Sequence, residues 1–460
     1  MGNLKIQKFC GLKPRVEPTL LADGMAIKAH NCILKNGKLV PIRKPTQNSN
    51  ISVIYGNGLL ELKNAQSLFV IDRGNYTSLL GFPGIVHCTE GNVADDPYTR
   101  VFLSGATGVG TNAHEPCVLL FGAGANGADV WHSLCKTVLP APTVTLDAGG
   151  NADTDNTRYT VFYQTWVDAY GYESGCSQPS AELSYNDGDS VTIAAETIPS
   201  GAVKRRIYKL ITGTENGIVQ LVAEYDTNPF DAKTLTVKDE DAAEEMPEFE
   251  SPKAGMKYMS FVDGGFYVGF RTGDERTIRF SDIDNPSNWP TDYAYSINEN
   301  AKAIAVTSNS VFVLTDGRPY VLSGTAPESM TVTDLVTSAP CVSERSVCVY
   351  NNAVYYASHE GIAYIYNDAD EGTQVKILTR EIFTYDQWQA LNPSSCLMVQ
   401  YHGRLFCHFN GGSGSSAWKK SIIVDLNETE CSVTTHDDFA VCAAVDDTTD
   451  SLYFVSGRDA

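Results

Sequence analysis

The sequence predicts an all-β fold: a β-propeller built from the N- and C-terminal segments, with an inserted β-sandwich of the fibronectin type III or immunoglobulin kind. Two observations predict it. Gly (38), Pro (20) and Tyr (23) are plentiful among the 460 residues, and no stretch keeps a helical periodicity over several turns. In addition, short apolar strand-like runs recur through the second half of the chain at a nearly constant step.

The recurring runs begin beside a Gly- or Asn-containing turn, at steps of 45, 43, 51 and 47 residues. They are GGFYVGF from Gly264, NSVFVLT from Asn309, NAVYYAS from Asn352, GRLFCHF from Gly403 and DSLYFVSG from Asp450. After most of them a turn leads into a second strand: TIRFSD, GRPYVLSG, GIAYIYN and SIIVDL. A hairpin at this period is typical of a propeller blade with four strands. An irregular two-sheet sandwich is the structural alternative.

The first 140 residues carry similar pieces. LLELKN and SLFVIDR form a candidate hairpin at residues 59–73, and TRVFLSG and CVLLFGAG lie at 99–105 and 117–124. Because closing the ring removes exposed sheet edges, we expect residues 51–140 to complete the ring that begins at about residue 255, within the segment 251–460. Short helices are expected only near Asp23–Cys32 and at 384–391.

Residues 141–250 form a different module. RYTVFYQTWVDAYGYES, SVTIAAET, KRRIYKLITG and IVQLVAEYD are strand-like runs separated by turns about every ten residues, which predicts the inserted sandwich. The module ends in residues 239–250, which hold seven acids and no base. We interpret this stretch as a solvated linker or an exposed acidic loop, formed by Asp239, Glu240, Asp241, Glu244 and Glu245.

The charge is strongly negative and unevenly distributed. The net charge of −21 repels phosphate, so tight wrapping of nucleic acid is not expected, whereas transient and non-specific contact with DNA is compatible with it. Residues 1–45 carry +7 and the rest of the chain −28. Residues 1–50 therefore read as an arm that docks onto an acidic neighbour, or as a solvated face without a partner. The candidate docking residues are Lys5, Lys8, Lys13, Arg15, Lys28, Arg43 and Lys44.

The twelve cysteines show no C-x-x-C pair, and several lie inside apolar runs. We interpret these cysteines as small buried hydrophobic residues of a protein that is kept in a reducing compartment. The N-terminus has no apolar signal-peptide core, and no apolar run reaches the roughly 18 residues that span a membrane. We expect a soluble protein, made in a cytoplasm, without a membrane-spanning segment.

Candidate metal ligands do not form a convincing site. Cys396, His402, Cys407 and His408 lack the paired spacings of zinc ligands, so core cysteines and a rim histidine are expected instead. Two acidic stretches resemble fragments of calcium loops but lack the fixed Gly and the distant bidentate Glu. These stretches are Asp153, Asp155 and Asn156, and Asp368, Asp370 and Glu371. No metal, cofactor or catalytic residue is predicted.

Some propellers hydrolyse sugars, which makes an enzyme an alternative for this fold. Arg271, Arg276 and Arg279 lie in one strand-turn region, and SDIDNPSNW has the wrong spacing for an aspartate box. The sequence pairs no two carboxylates, and it has no P-loop, G-x-S-x-G or H-E-x-x-H. Trp289 is expected to anchor a turn between blades, and Arg318 to sit at a hairpin tip or form an inter-subunit salt bridge. We predict that the chain is not an enzyme.

The opening of the chain, GLKPRVEPTLLADGMAIKAHNCILKNGKLVPIRKP, resembles the start of many phage virion proteins. So do RFSDIDNPSNWP, TDGRPYVLSGTAPESMTVTDLVTSAPCVSERSV and VYYASHEG, and the middle module is similar to the fibronectin-like insertion that these proteins carry. The matching positions in the opening are Pro14, Arg15, Leu20, Leu21, Asp23, Gly24, Ala26, Asn31, Gly37, Leu39, Pro41 and Arg43.

This resemblance implies a tail nozzle or tail tubular protein of a short-tailed bacteriophage. It implies a ring of copies, usually six, around the DNA ejection channel, with the head-to-tail adaptor and the tail fibres or spikes as partners. Localisation in the virion tail follows, after assembly in the host cytoplasm. The alternatives are a receptor- or glycan-binding tail protein, using Tyr163, Tyr170 and Tyr172 as its face, or a propeller glycosidase.

Overall fold

The computed structural model describes residues 8–47, 53–55, 64–73, 77–91, 96–108, 114–147, 157–211, 217–238, 245–246, 250–308, 310–368, 370–427 and 431–457. Over these residues the chain is nearly all β and forms many small sheets. It divides into two compact units. The first comprises residues 1–132, 254–279 and 295–460, and the second comprises residues 133–253 and 280–294.

The N-terminal part forms two short pairs and two larger sheets. β1 pairs in parallel with β2, β3 with β4 as a hairpin, β5–β7–β6 form a three-stranded sheet, and β8–β11 an antiparallel four-stranded meander. The β3–β4 turn is Asn36-Gly37, where both residues have positive φ (52° and 72°), as a two-residue hairpin turn requires. The strands are β1 (Gly11–Leu12), β2 (Met25–Ala26), β3 (Cys32–Lys35), β4 (Lys38–Pro41), β5 (Val53–Tyr55), β6 (Ser67–Asp72), β7 (Thr77–Phe82), β8 (Val86–Glu90), β9 (Val101–Gly105), β10 (Cys117–Leu120) and β11 (Val130–Ser133).

The second unit contains two three-stranded sheets, β12–β16–β19 and β14–β17–β18, and the short pair β13–β15. Phe162, Val191 and Ile207, from both three-stranded sheets, are fully buried in one shared core. Burial of both inner faces is what makes two such sheets stable together. The strands are β12 (Val144–Leu146), β13 (Arg158–Thr160), β14 (Phe162–Asp168), β15 (Leu183–Tyr185), β16 (Ser190–Ile193), β17 (Ala202–Ile211), β18 (Ile218–Tyr225) and β19 (Lys233–Thr236).

The C-terminal part consists of four four-stranded sheets in sequence order, β20–β23, β24–β27, β28–β31 and β32–β35, followed by the hairpin β36–β37. The strands are β20 (Met256–Val262), β21 (Phe266–Arg271), β22 (Asp274–Phe280), β23 (Ala294–Ser296), β24 (Ala301–Thr307), β25 (Ser310–Thr315), β26 (Tyr320–Ser323), β27 (Thr331–Asp334), β28 (Cys348–Tyr350), β29 (Ala353–Ala357), β30 (Ile362–Asp368), β31 (Gly372–Ile377), β32 (Leu397–Tyr401), β33 (Arg404–Gly411), β34 (Trp418–Asp425), β35 (Ser432–His436), β36 (Ala440–Asp446) and β37 (Ser451–Ser456).

The recurring runs of the sequence therefore fall on equivalent strands. The first four lie on β21, β25, β29 and β33, each the second strand of its sheet, and the fifth lies on β37. The runs that follow the first four lie on the third strands, β22, β26, β30 and β34. The predicted repetition of hairpins is confirmed.

Adjacent sheets of the first unit bury apolar side chains between their faces. Leu80 and Leu103 are fully buried between β6–β7 and the β8–β10 strands, and Leu68 packs with Cys442 between β6–β7 and β36–β37. Met398 and Ile362 belong to a core between β28–β31 and β32–β35. Neighbouring sheets of this unit therefore share buried apolar cores.

The inner strands of the first unit contact one another in a circuit. β8 contacts β20, β20 contacts β24, β24 contacts β28, and β28 contacts β32. β32 then contacts β36, β36 contacts β6, and β6 contacts β8 again. Except for β6, each of these is the first strand of its sheet or hairpin along the chain. The last segment of the chain thereby meets a strand from its first 80 residues.

Helix is scarce, as expected. The α-helix among the described residues is α1 (Tyr385–Gln389), inside the predicted stretch 384–391. Thr384 Oγ1 accepts from Gln387 N at 3.3 Å while Thr384 N donates to Gln387 Oε1 at 3.0 Å, which is a capping box. Among the described residues, 3₁₀ turns lie at Pro18–Leu20, Ala125–Gly127, Pro327–Ser329, Glu344–Ser346, Pro393–Ser395 and Gly414–Ser416. Within the described parts of the chain, no helix has the length and apolarity needed to cross a membrane.

One local prediction differs from the structure. The helix expected at Asp23–Cys32 is absent, because Gly24 and Asn31 take positive φ (90° and 55°) and the segment forms β2 and a bridge to β35 instead. Of the hairpin expected at 59–73, residues 59–63 lie outside the described residues. Its second half forms β6, which pairs with β7. The second candidate pair, 99–105 with 117–124, does form the hairpin β9–β10.

Candidate functional site

The N-terminal arm lies along the last four-stranded sheet of its own unit. Thr435 N donates to Ala29 O at 2.9 Å, and Asn31 N donates to Thr435 O at 2.8 Å. Together with the parallel bridge between His30 and Thr435, these bonds extend the β32–β35 sheet beyond β35. The extra pairing covers what would otherwise be an exposed strand edge.

Side chains reinforce this junction. His30 Nδ1 lies 2.9 Å from Thr435 Oγ1, and His30 Nε2 lies 3.0 Å from Asp437 Oδ1. Asn31 Nδ2 donates to Asp437 Oδ2 at 2.8 Å, and Asp437 N donates back to Asn31 Oδ1 at 3.0 Å. The arm is therefore held by side-chain and backbone bonds at the same place.

Two further contacts fix the beginning of the arm. Gly11 has φ +82°, and a Cβ at this position would lie 2.8 Å from Val433 O, so only glycine fits here without displacement. Arg15 N donates to Ile382 O at 2.9 Å, and its guanidinium donates to Arg380 O. Arg15, one of the predicted docking residues, is therefore bound to backbone carbonyls of its own chain.

The other predicted docking residues remain largely open to solvent. Lys8, Lys28, Arg43 and Lys44 are exposed and Lys13 is half-buried, whereas Lys5 lies outside the described residues. Two large apolar side chains of the same arm are also exposed, Leu20 at 74% and Ile27 at 72%. Exposed apolar residues among bases are typical of a surface that meets a partner.

The predicted acidic loop can be placed only at its end. Asp239, Glu240, Asp241 and Glu244 lie outside the described residues. Glu245 is exposed and forms an isolated antiparallel bridge with Gln220 of β18. The adjoining backbone N–H, at Met246, donates to Val219 O at 2.7 Å, so this end of the acidic segment follows the edge of a sheet.

The Cys and His candidates separate in space. Cys396 and Cys407 are buried side by side, and burial followed by their thiol hydrogen bond raises the pKa of Cys407 well above its usual value. His402 is exposed and lies 2.6 Å from Asp450, whereas His408 is buried against Ser421. Among the residues that the structure describes, no three His, Cys, Asp or Glu side chains are grouped to hold a metal ion.

The acidic turn fragments and the arginines have local partners. Asp368 Oδ1 accepts from the N–H groups of Asp370 and Glu371 at 2.9 and 3.1 Å, which is an Asx turn before β31. Residues 153–156 lie outside the described residues. Each arginine of the 271–279 stretch has a different partner: Ala254 O for Arg271, Asn300 Oδ1 for Arg276 and Asp274 for Arg279.

Three further predictions concern single side chains. Tyr172 is only 5% exposed, so its place on an exposed tyrosine face is wrong, and Tyr163 and Tyr170 are half-buried. The turn residue Trp289 is buried, and its Nε1 donates to Pro286 O at 2.9 Å. Arg318 lies 3.3 Å from Asp334 on the adjacent strand β27, an exposed ion pair within one sheet.

The sequence did not predict one candidate binding site. A cavity of about 610 Å³ lies in the first unit, with Lys257, Lys302, Arg345, Glu275 and Glu344 in its wall. Lys257 and Lys302 occupy the second positions of β20 and β24, and Arg345 precedes β28. A base placed near the start of successive first strands was a signal that the repeat pattern contained.

Comparison with known proteins identifies no family for this chain. No protein-family model and no curated protein matches the chain. Solved structures with local similarity include the N-terminal domain of Nup159 (10% identity, TM-score 0.28), Hsv2 from Kluyveromyces lactis (8%, 0.30) and the WD40 domain of SCAP from fission yeast (9%, 0.26). They cover 54%, 58% and 81% of this chain, and 58%, 66% and 76% of those chains, respectively. The chain thus spans less than two thirds of Nup159's domain and about two thirds of Hsv2, and scores this low assign no fold family.

Proposed function

We propose that the chain is a non-enzymatic structural protein of a short phage tail, a nozzle or tail-tube component that assembles as a ring of copies around the DNA ejection channel. The family resemblance of the opening segment suggests this role and a hexamer. The circuit of contacts among the inner strands is the structural observation that carries the proposal.

The circuit supports a propeller in the first unit. Seven strands, β6, β8, β20, β24, β28, β32 and β36, meet their neighbours in turn and return to the start. Five of them begin four-stranded sheets. Radial sheets whose first strands meet in a ring are the arrangement of a propeller, which leaves only short, protected edges. A body of this kind resists deformation because no long edge can fray.

The second unit supports the fibronectin-like insertion. β14–β17–β18 match the C–F–G sheet of an immunoglobulin-type sandwich, and β12–β16 match its B–E pair. β19 lies beside β16, in the position that strand D takes in that fold, although it comes last in the chain. The insertion is therefore proposed as a sandwich of this class with an altered final strand.

The uneven charge of the chain and the exposed residues of the arm support the assembly of several copies. The arm presents Leu20, Ile27 and Lys28 to solvent on a chain whose remaining part is strongly acidic. Opposite charges of this kind steer neighbouring copies together, and the exposed apolar residues supply surface to bury. An acidic wall also limits adhesion of passing DNA, whose phosphates it repels.

Electron microscopy of the purified chain tests the proposal. Negative-stain images and light scattering are expected to show a closed ring of one defined copy number at micromolar concentration. The variant L20E/I27E is expected to weaken the ring, and V336E, which changes an 88% exposed apolar residue outside the arm, is the matched control. A persistent monomer that binds host cells would favour a receptor-binding protein, and hydrolysis of host polysaccharide would favour a glycosidase; either result contradicts the proposal.

A further inference from the structure

The cavity of the first unit lies where the inner strands begin. Ile85 immediately precedes β8, Lys257 is the second residue of β20, and Ala301 is the first of β24. The stretch 341–345 precedes β28, and Ser394 precedes β32. Five strands of the circuit therefore deliver residues to one recess, so its shape is set by several sheets at once. Preformed recesses of a few hundred cubic ångströms are the usual form of small-ligand sites.

We propose that this cavity binds a small organic monoanion, with one carboxylate held by Lys302 and Arg345 and an apolar body against Ile85, Phe270 and Val342. The proposal does not depend on the role in a phage tail, because it rests only on the residues around the cavity.

The cations of the wall are not fully paired within the described chain. Lys257 Nζ lies 3.4 Å from Glu344 Oε2, so that lysine already has a carboxylate. The side chain of Lys302 is exposed and makes no hydrogen bond or ion pair with any described residue, although its charge helps to lower the pKa of Asp316. A lysine side chain without a partner can turn its ammonium group to an arriving anion at little cost.

Arg345 has a different arrangement. Its Nη2 donates to Gln66 O at 2.9 Å and also to Val441 O, which fixes the guanidinium plane. No carboxylate of the described residues lies within ion-pair distance of it. Burial lowers the pKa of Arg345, and the nearby Glu344 partly offsets this effect. A guanidinium held in place with N–H groups to spare is suited to a carboxylate.

The net charge of the residues that line the cavity determines which charge the ligand should carry. Three cations and two carboxylates line the cavity, which is a local excess of one positive charge on a chain of −21. Glu275 Oε1 accepts from Gly273 N at 2.8 Å, which holds this carboxylate in the wall. One negative charge on the ligand neutralises the excess, whereas a dianion such as phosphate meets repulsion from Glu275 and Glu344.

Titration calorimetry on the full chain tests the inference with named probes: acetate, butyrate, phenylacetate, inorganic phosphate and butylamine. Affinity is expected to rise from acetate to phenylacetate, because the apolar body adds buried surface. Phosphate and butylamine are expected to give no binding. K302Q should weaken phenylacetate binding about tenfold, the effect of losing one charged hydrogen bond. E275Q should strengthen it, because glutamine keeps an acceptor for Gly273 and removes a negative charge.

K28Q is the matched control, since Lys28 is an exposed lysine of the arm away from the cavity wall, and it should leave the affinity unchanged. The inference is overturned if no carboxylate binds at millimolar concentration, if phosphate binds as well as phenylacetate, or if K302Q and K28Q have equal effects. Unchanged melting temperatures of all three variants confirm that binding, not folding, is measured. Loss of ring assembly in microscopy would leave this result untouched, so the two proposals fail separately.

Discussion

His30 and Asp437, 407 positions apart in the chain, are joined by a contact of 3.0 Å between Nε2 and Oδ1. The contact ties the basic arm to the segment after β35, beside the backbone pairing of residues 29–31. An arm held in this way is part of the fold of its own unit. Its exposed residues are then presented from a fixed position, which is what docking onto a second copy would need.

The glycine at the start of the arm gives the first prediction. G11A places a Cβ 2.8 Å from Val433 O, so β1 must move away from β35. Trypsin is expected to cleave after exposed Lys28 at least fivefold faster than in the wild type, since about 1 kcal/mol of lost arm attachment raises the open population by that factor. Cleavage is followed by mass spectrometry of the fragments.

The matched control is G372A. Gly372 also has positive φ (+72°), but a Cβ there has nothing within 4 Å. Both variants carry the cost of a left-handed alanine, about 1 kcal/mol, and only G11A adds the clash. Equal cleavage rates in the two variants would show that contact with Val433 does not hold the arm.

A buried ion pair in the second unit gives the next prediction. The side chains of Lys136 and Asp168 are only 2% and 1% exposed and form a direct ion pair. D168N leaves the ammonium without its counterion, so the free energy of unfolding is expected to fall by about 3–5 kcal/mol. Urea unfolding, followed by the fluorescence of Trp166, whose ring centroid lies 5.0 Å from Lys136 Nζ, measures the loss.

The double variant K136M/D168N should be more stable than D168N, because the uncompensated charge is gone. K204Q is the control in the same unit: Lys204 pairs with Glu224 at 2.6 Å, but its side chain is 40% exposed, so the cost should stay below about 1 kcal/mol. If the double variant were no better than D168N, packing and not the charge would account for the loss.

A buried histidine predicts the pH dependence of the first unit. Burial, and then the neighbouring His436, lowers the pKa of His408 to about 3. The unfolded chain binds a proton near pH 6.5, whereas the folded chain does not until about pH 3. Stability is therefore complete above pH 6.5 and falls as the pH drops through that window, by about 1.4 kcal/mol per pH unit for this residue.

Urea midpoints between pH 6.5 and 5, above the range where carboxylates titrate, measure the slope. His87, whose pKa burial also lowers to about 3, contributes equally, so H408Q should remove about half of the slope due to these two. H87Q should remove the other half, so the double variant H87Q/H408Q should lose the whole contribution of these two buried histidines. A wild-type slope of zero in this range would contradict the buried, neutral state.

Local patterns predicted much of the fold and little of the candidate sites. The run from Asn352 alternates and follows a turn, and it lies on β29 as expected, since strand and turn signals act between near neighbours. The helix expected around Ile27 fails because Ala29 and Asn31 pair with Thr435, a partner about 400 positions away. Long-range pairing of this kind leaves no mark on the local sequence.

The cavity escaped prediction for the same reason. Lys257, Lys302 and Arg345 come from three separate stretches. Each lies near the start of a first strand of the repeat, but only the contacts of β20, β24 and β28 bring them into one wall. Burial was equally hard to foresee at Tyr172, where a polar and aromatic run suggested exposure. Its side chain is buried at the end of a turn in which Asp168 N donates to Tyr172 O. Sequence alone identifies which residues are polar and leaves open which of them meet.

The tryptophan of α1 gives the last prediction. Trp388 is fully buried, its Nε1 donates to Ser358 O at 2.8 Å, and its ring packs edge-on against Phe409 with centroids 5.7 Å apart. W388A should cost about 3–5 kcal/mol through the cavity it leaves, and W388F about 1–3 kcal/mol, because the ring stays but Ser358 O loses its donor.

Chemical unfolding followed by circular dichroism separates these two effects. W418F is the control, since Trp418 is half-buried, and its cost should stay below that of W388F. A W388F variant as stable as the wild type would mean that water replaces the lost donor at Ser358 O. In that case α1 would be held by ring packing alone, and the hydrogen bond across 30 residues would contribute nothing to the core between β28–β31 and β32–β35.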